Sequence, residues 1–217
     1  MRHAIVADTR WESPGVRLIH LRPGATEPFA PSACGAHIEI ALPNGEWRSY
    51  SLVSSPGQSE RYSVAVQRGA SAGAAWLTEQ LDAGQRVAIR GPHQSFKLHE
   101  DDGAPTLFVA GGIGITPFLA MLEALQQQGR DWRLVYAVRS RDGAAFLQPL
   151  RAYGDRVQLH VDNEAGRFLS LAEQLDQAAE GTHVYVCGPA PMMAEMERQR
   201  ALRPQLRFHR EESAHAG

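Results

Sequence analysis

The alternation of hydrophobic and polar positions changes its rhythm partway along this chain. Segments 4–7, 16–21, 36–42, 48–53, 61–67 and 86–90 are short and rich in β-formers, and several alternate apolar with polar residues. That period of two is the mark of half-buried strands. Turn signals separate them: Ser13-Pro14-Gly15, Pro43-Asn44-Gly45, Pro56-Gly57 and Ala83-Gly84. Leu77 and Leu81, four residues apart, predict one short helix over 74–81. Six antiparallel strands and one helix predict a small closed β-barrel.

The polar run His99-Glu100-Asp101-Asp102-Gly103-Ala104-Pro105 then interrupts the pattern and divides the chain into domains at 1–100 and 101–217. Beyond it strands alternate with helices. Strands are expected at 106–110, 133–138, 157–161, 183–187 and near 206–208, and helices at 117–128, 144–153, 170–179 and 190–202. Several of these strands, such as Leu107-Phe108-Val109-Ala110, are wholly apolar, as strands become when helices cover both sheet faces. The second half therefore reads as an α/β doubly wound parallel sheet, with ligands expected at the carboxyl ends of its strands. The small polar tail at 211–217 is expected to fray.

Composition narrows the chemistry by exclusion. A net charge of −2 and 43 % hydrophobic content over 217 residues give no electrostatic case for nucleic acid and no membrane span. The first residues carry no signal-peptide apolar core, so the cytoplasm is the expected compartment. Two cysteines, Cys34 and Cys187, read as separate thiols and cannot supply the four ligands of a plant-type 2Fe–2S cluster within these residues. His37, His93, His99, His160, His183 and His209 show no ligand spacing, so no metal site is expected.

The sharpest motif runs from an apolar strand into Gly111-Gly112-Ile113-Gly114-Ile115-Thr116-Pro117. Glycines let a ligand approach the backbone, and the amides opening a helix attract a pyrophosphate. Thr116 is the expected N-cap and Pro117 the first helical residue. A later strand ends in Cys187-Gly188-Pro189, which a parallel sheet should set across a crevice from the glycine turn. A third strand end, Arg139-Ser140-Arg141, would suit a 2′-phosphate, whereas Asp162 at the next would accept from ribose hydroxyls, so NADH and NADPH both stay open. In the barrel half, alternation along Arg48-Ser49-Tyr50-Ser51-Leu52 places Arg48, Tyr50 and Leu52 on one face and Ser49 and Ser51 on the other.

Taken together, these motifs resemble the ferredoxin–NADP reductase superfamily, and within it the phthalate dioxygenase reductase and vanillate demethylase reductase group. Gly35-Ala36-His37-Ile38, Arg48-Ser49-Tyr50-Ser51-Leu52, the strand from Tyr62 to Arg68, the glycine turn and Cys187-Gly188-Pro189 match that family in order along nearly the whole chain. The resemblance implies a flavin, FMN rather than FAD, in the barrel and NADH or NADPH on the sheet. It implies that Arg48 pairs with the flavin phosphate. Tyr50 would pack on the isoalloxazine beside Leu52, Ser51 would bond near its N5, and the backbone of Ala65, Val66 and Gln67 would meet its polar edge. Gly73, Ala74 and Ala75 would hold the phosphate. Gly111, Gly112, Gly114, Gly188 and Pro189 would line the nucleotide crevice, with Thr116 and Cys187 flanking the nicotinamide.

Two departures stand out. Gly73-Ala74-Ala75 lacks the hydroxyl with which the family's phosphate turn usually ends, and Ser213 replaces an aromatic near the flavin. Several relatives continue into a 2Fe–2S ferredoxin domain. The resemblance thus implies an NAD(P)H-dependent flavoprotein reductase passing electrons to a separate iron–sulfur partner, a ferredoxin or an oxygenase component. A stand-alone flavin reductase and a binding subunit that has lost flavin stay open as alternatives.

Overall fold

A computed structural model describes residues 1–69, 71–94 and 96–210, in which the strands form two sheets. The first contains β1 (Arg2–Ser13), β2 (Val16–Pro23), β3 (Ala36–Ala41), β4 (Trp47–Ser51), β5 (Tyr62–Gln67) and β6 (Arg86–Gln94), antiparallel in the order β4-β3-β6-β1-β2-β5. Its inner face buries Ile19, Leu21, Ile38, Ile40, Leu52, Tyr62 and Val64. The sheet curls until its two end strands meet, but they do so at one bridge, Leu52 to Val64, supported by Val53 N–H donating to Ser63 O at 2.9 Å. The expected closed barrel is therefore a half-barrel with an open seam beyond Val64, because no strand pairs with the outer edge of Ala65, Val66 and Gln67 among the described residues.

Helix α1 (Ala72–Ala75) opens where Ser71 Oγ accepts from Ala74 N–H at 3.2 Å, then widens into a π-turn over Trp76–Gln80. As the spacing predicts, Leu77 and Leu81 enter the barrel core. The buried Arg17 of β2 ties the far end of this helix down, donating to Thr78 O at 2.8 Å and to Asp82 at 3.1 Å.

The second sheet is parallel: β7 (Thr106–Gly111), β8 (Trp132–Val138), β9 (Val157–Val161), β10 (His183–Cys187) and β11 (Arg207–His209), in the order β11-β10-β7-β8-β9. Its helices are α2 (Leu119–Gln127), α3 (Leu147–Leu150), α4 (Asp162–Ala165), α5 (Leu171–Leu175) and α6 (Ala190–Leu202). Phe108, Ala110, Leu134 and Tyr136 pack with α2 and α3, while Leu107, Val109, Val135, Val184 and Val186 pack with α5 and α6. Helices thus cover both faces, as the apolar strands require.

Three helices differ from the periodicity. The segment expected to be helical over 144–153 is α-helical only in α3 and then tightens to a 3₁₀ turn over Arg151–Arg156. Phe146 takes a left-handed φ of 61°, and Ala145 N–H donates sideways to Tyr136 Oη at 3.2 Å, so the helix cannot start earlier. α5 is half the expected length, and α4 is a single unforeseen turn. The expected tail at 211–217 lies outside the described residues.

The halves share a core. Val16, Leu18 and Ala65 of the half-barrel pack in one cluster with Phe96, Phe108, Phe118 and Met121. Polar links reinforce it: Cys34 Sγ donates to Ala120 O at 3.4 Å, and Ser55 Oγ to Glu123 at 3.0 Å.

Candidate active site

The glycine turn after β7 and the turn after β10 lie against each other, as strand order dictates: Ala110 is the register partner of Cys187. Three glycines there are explained by close packing of the turns. A Cβ on Gly114 would stand 2.2 Å from Cys187 O, one on Gly111 would stand 2.7 Å from Pro189, and one on Gly188 would stand 2.7 Å from Met192 Sδ. Gly112 differs. It has φ of +54° and nothing within 4 Å of where its Cβ would be, so it presents bare backbone to open space.

Thr116 does not cap the following helix. The helical run starts earlier, as a 3₁₀ turn over Gly112–Phe118 with Gly111 in the N-cap position. Thr116 Oγ1, inside that turn, donates back to Ile113 O at 3.0 Å, the usual resort of a hydroxyl within a helix. Pro117 consequently sits near the joint with α2 rather than at a helix start; its missing N–H falls where the 3₁₀ ladder gives way to the α ladder. Thr116 is buried, and the half-buried Cys187 ends β10 against the same turn.

At the next two strand ends, Val138 pairs with Val161, and Asn163 N–H donates to Arg139 O at 3.1 Å, so the loops after β8 and β9 are joined. Asp162 opens α4. Its Oδ1 is buried and accepts no hydrogen bond; His160 Nε2 lies 3.3 Å away but is hydrogen-bonded to Arg167 O at 3.1 Å. An orphaned carboxylate oxygen at a strand's carboxyl end fits a ribose hydroxyl. Arg139 is exposed, whereas Arg141 is gripped by Glu164 through bonds of 3.0 and 2.7 Å. Glu164, two positions beyond Asp162, is a neighbour of these strand ends that no sequence motif marks.

In the half-barrel, Arg48 and Tyr50 are register partners of Ile40 and Ile38, and Ser49 and Ser51 of Glu39 and His37, so the predicted division of faces holds. Tyr50 and Trp76 pack at the margin of the barrel core, and burial raises the Tyr50 phenol above its ordinary value. Arg48 is exposed and paired with Glu46 at 2.7 Å, a competitor for any phosphate that the motif did not reveal. α1 is pinned nearby, since a Cβ on Gly73 would stand 2.4 Å from Leu42, whose N–H bonds to Glu46 O. Ala74 and Ala75 N–H are already satisfied by Ser71, which leaves the first-turn amides of Ala72 and Gly73 as donors. The unpaired edge of Ala65, Val66 and Gln67 together with these amides fits a flavin ring and its phosphate. β5 packs directly against the 3₁₀ turn Gly112–Phe118, so the seam and the glycine turn adjoin.

The fold also gathers what the spacing of histidines concealed. His99, His183 and His209 come from the linker, β10 and β11, and their ring nitrogens lie within 4.8 Å of one another. The rings of His99 and His183 stack at 3.4 Å and 7°, and His209 stacks on Tyr185 at 4.3 Å and 6°. His183 Nδ1 bonds to His209 Nε2 at 2.8 Å and its Nε2 to Asp102 at 3.1 Å, while Arg130 reaches His99 Nε2 and Arg207 reaches Asp102. Near-parallel rings do not converge their lone pairs on one point, and two guanidinium groups repel a cation. This is a hydrogen-bonded stack at the sheet end remote from the crevice.

Comparison with known proteins places this geometry. Residues 108–198 match the family described as oxidoreductase NAD-binding domain. Phenoxybenzoate dioxygenase subunit beta from Ectopseudomonas oleovorans is 43 % identical over 185 residues, covering 84 % of this chain and 57 % of that protein. Vanillate O-demethylase oxidoreductase from Pseudomonas sp. (strain HR199 / DSM 7063) is 40 % identical over 171 residues, covering 76 % of this chain and 54 % of that protein. The solved structure of phthalate dioxygenase reductase superposes with a TM-score of 0.82 at 28 % identity, over 96 % of this chain and 67 % of that one. The chain belongs to the ferredoxin–NADP reductase superfamily. Within that superfamily it falls in the phthalate dioxygenase reductase and vanillate demethylase reductase group, and it spans a little over half the length of those curated relatives. No helix among the described residues is long and apolar enough to cross a membrane.

Proposed function

We propose that this protein is an NAD(P)H-dependent flavoprotein reductase that takes hydride at the crevice and delivers electrons to an iron–sulfur partner of an oxygenase system. The observation that carries this reading is the contact between β5, whose free edge borders the seam, and the glycine turn beside the crevice. Two ring-binding half-sites placed side by side are what hydride transfer needs, since the reaction depends on holding two rings in register rather than on an acid or base. A bound flavin supplies the capacity to accept electrons as a pair and release them singly.

The chain's own residues divide the work. Arg48 and the amides of Ala72 and Gly73 hold the phosphate, and the Ala65–Gln67 backbone hydrogen-bonds the polar edge of the ring. Tyr50 and Leu52 give the ring an apolar support, with Ser51 offering a hydroxyl beside it. Gly112 lets the nucleotide approach, while Gly111, Gly114, Gly188 and Pro189 keep the two turns in contact. Thr116 and Cys187 bound the place of the nicotinamide. FMN is the flavin of this reading, because the reductase group that the chain resembles uses FMN. The relatives' printed roles support the partner: they are components of dioxygenase and demethylase systems, and the phthalate dioxygenase reductase structure is described as transferring electrons from pyridine nucleotides to 2Fe–2S. With two cysteines, such a cluster lies outside these 217 residues.

The protein as purified should show a flavin absorbance that NADH bleaches under anaerobic conditions, and denaturation should release a compound of FMN's mass. Release of FAD would replace FMN and leave the rest standing. Failure to retain any flavin would sink the reading. Arg48→Ala should weaken FMN binding about tenfold or more with the fold intact. Rapid reduction of a 2Fe–2S ferredoxin supports the proposed partner, whereas fast turnover with excess free flavin alone favours a stand-alone flavin reductase.

A further inference from the structure

Arg17 is a buried cation inside the half-barrel to which the reading above gives no part. A charge persists in such a place only when it is paired and hydrogen-bonded. Its Nη1 donates to Thr78 O at 2.8 Å, and its Nη2 donates to Thr9 Oγ1 at 2.6 Å and to Asp82 at 3.1 Å. In β2, Arg17 is the register partner of Val66, the middle residue of the Ala65–Gln67 edge that borders the seam. Its side chain meanwhile reaches the helical run Ala72–Gln80, at a last-turn carbonyl that finds no partner within the helix. From there the link runs back to the helix start. The buried Thr78 donates its hydroxyl to Ala74 O at 2.7 Å, and Ala74 N–H is held by Ser71 Oγ. Ala74 directly follows Ala72 and Gly73, whose amides are the free donors.

A helical run this short is marginal by itself, so its direction comes from what it is tied to. Two arginines tie it. Arg68 Nε donates to Glu79 at 2.6 Å, but both side chains are half-exposed and the pair is screened by water. The Arg17 contact with Thr78 is buried and is the firmer of the two. We propose that Arg17 is a positioning residue for the flavin phosphate: it braces the helix against the strand that frames the ring edge. It thereby fixes where the Ala72 and Gly73 amides stand relative to the ring, and acts on the phosphorylated end of the ligand without touching it. Asp82 offsets the charge of Arg17, so geometry and not net charge is the agent. This inference rests on the flavin reading of the half-barrel.

The test separates phosphate from ring by comparing FMN with riboflavin, which carries the same ring and no phosphate. The full chain as purified is exchanged into each flavin and then diluted, and the recovery of free-flavin fluorescence gives the two dissociation constants. The wild type should hold FMN at least about tenfold more tightly than riboflavin. Arg17→Met should weaken FMN about tenfold and change riboflavin by less than about twofold, a split that a merely structural role would not produce. Arg17→Lys, which keeps one donor for Thr78 O, should bring FMN back to within about threefold of the wild type. Should Arg17→Met fail to fold, Thr78→Val breaks the same brace at its hydroxyl, and it should weaken FMN about threefold with riboflavin unchanged. Equal weakening of both flavins, or no weakening of FMN, in the variant that folds would overturn the proposal and leave the flavin site standing. A wild type that holds the two flavins alike would remove the phosphate cradle and the proposal together. If the wild type retains neither flavin, the underlying reading of the half-barrel fails with it.

Discussion

At the scale of single residues, the glycines after β7 do two different jobs that the motif merges. Gly111 and Gly114 are small because another turn is pressed against them, and Gly112 is free because of its backbone angle. Their substitutions should therefore part company. Gly114→Ala forces a Cβ to within 2.2 Å of the Cys187 carbonyl, and should cost about 2–4 kcal/mol of stability while separating the two turns. Gly112→Ala meets no atom but demands a left-handed φ of +54°, at about 1–2 kcal/mol. Chemical denaturation of both variants measures the difference, and equal losses would contradict this division. Glu46 makes a second residue-scale prediction. Because it holds Arg48 at 2.7 Å, Glu46→Gln should tighten FMN binding two- to fivefold, about the value of one exposed ion pair. Unchanged FMN affinity would show that the pair does not compete. The glycines and Arg48 were legible in the sequence because they sit in local motifs. Glu46 and Glu164 were not, because what matters about them is which arginine they reach across a turn or between loops.

At the scale of elements, some boundaries could be read to the residue: strands β9 and β10 and helix α6 begin and end where periodicity puts them. The errors lie where a neighbour outbids local preference, as when Tyr136 takes the Ala145 amide and shortens the following helix, or when the helical run begins ahead of Thr116. The histidine stack was invisible for a related reason. Its members come from three elements and share no spacing. It nevertheless has a measurable signature. His99 and His209 are pushed down to about 4, chiefly by burial and then by the charge of His183 and the adjacent Arg130 and Arg207. In the unfolded chain both titrate near 6.5. Between pH 6.5 and about 4 the unfolded state therefore binds more protons, so the stabilisation is complete above 6.5 and is lost as pH falls through that window. His209→Gln, which does not titrate, should flatten the profile. The wild type should lose a few degrees more in Tm between pH 7 and pH 5 than the variant does. Parallel profiles would show that the stack is not coupled to folding.

At the scale of the whole molecule, the sequence separated two halves by their grammar but could not show how firmly they are joined. The polar linker suggests independence, whereas the shared core of Val16, Leu18 and Ala65 with Phe108, Phe118 and Met121 argues for one cooperative unit. Ala65 belongs to both stories. Its side chain lies in that shared core, and its backbone borders the seam proposed for the flavin. Filling the seam should then stabilise the entire chain and not the half-barrel alone. Calorimetry should show one unfolding transition. FMN at about a hundred times its dissociation constant should add roughly 2.7 kcal/mol. For a chain of this size that raises Tm by about 5–10 °C. Arg48→Ala should blunt the rise at the same FMN concentration, because the phosphate contact is what concentrates the ligand in the seam. Two resolved transitions, with only the first moved by FMN, would mean that the aromatic cluster between the halves packs them together without coupling their unfolding. The crevice would then be positioned against the seam by contact alone, and hydride transfer should slow steeply once that contact is loosened, as Ala65→Ser in the shared core would test.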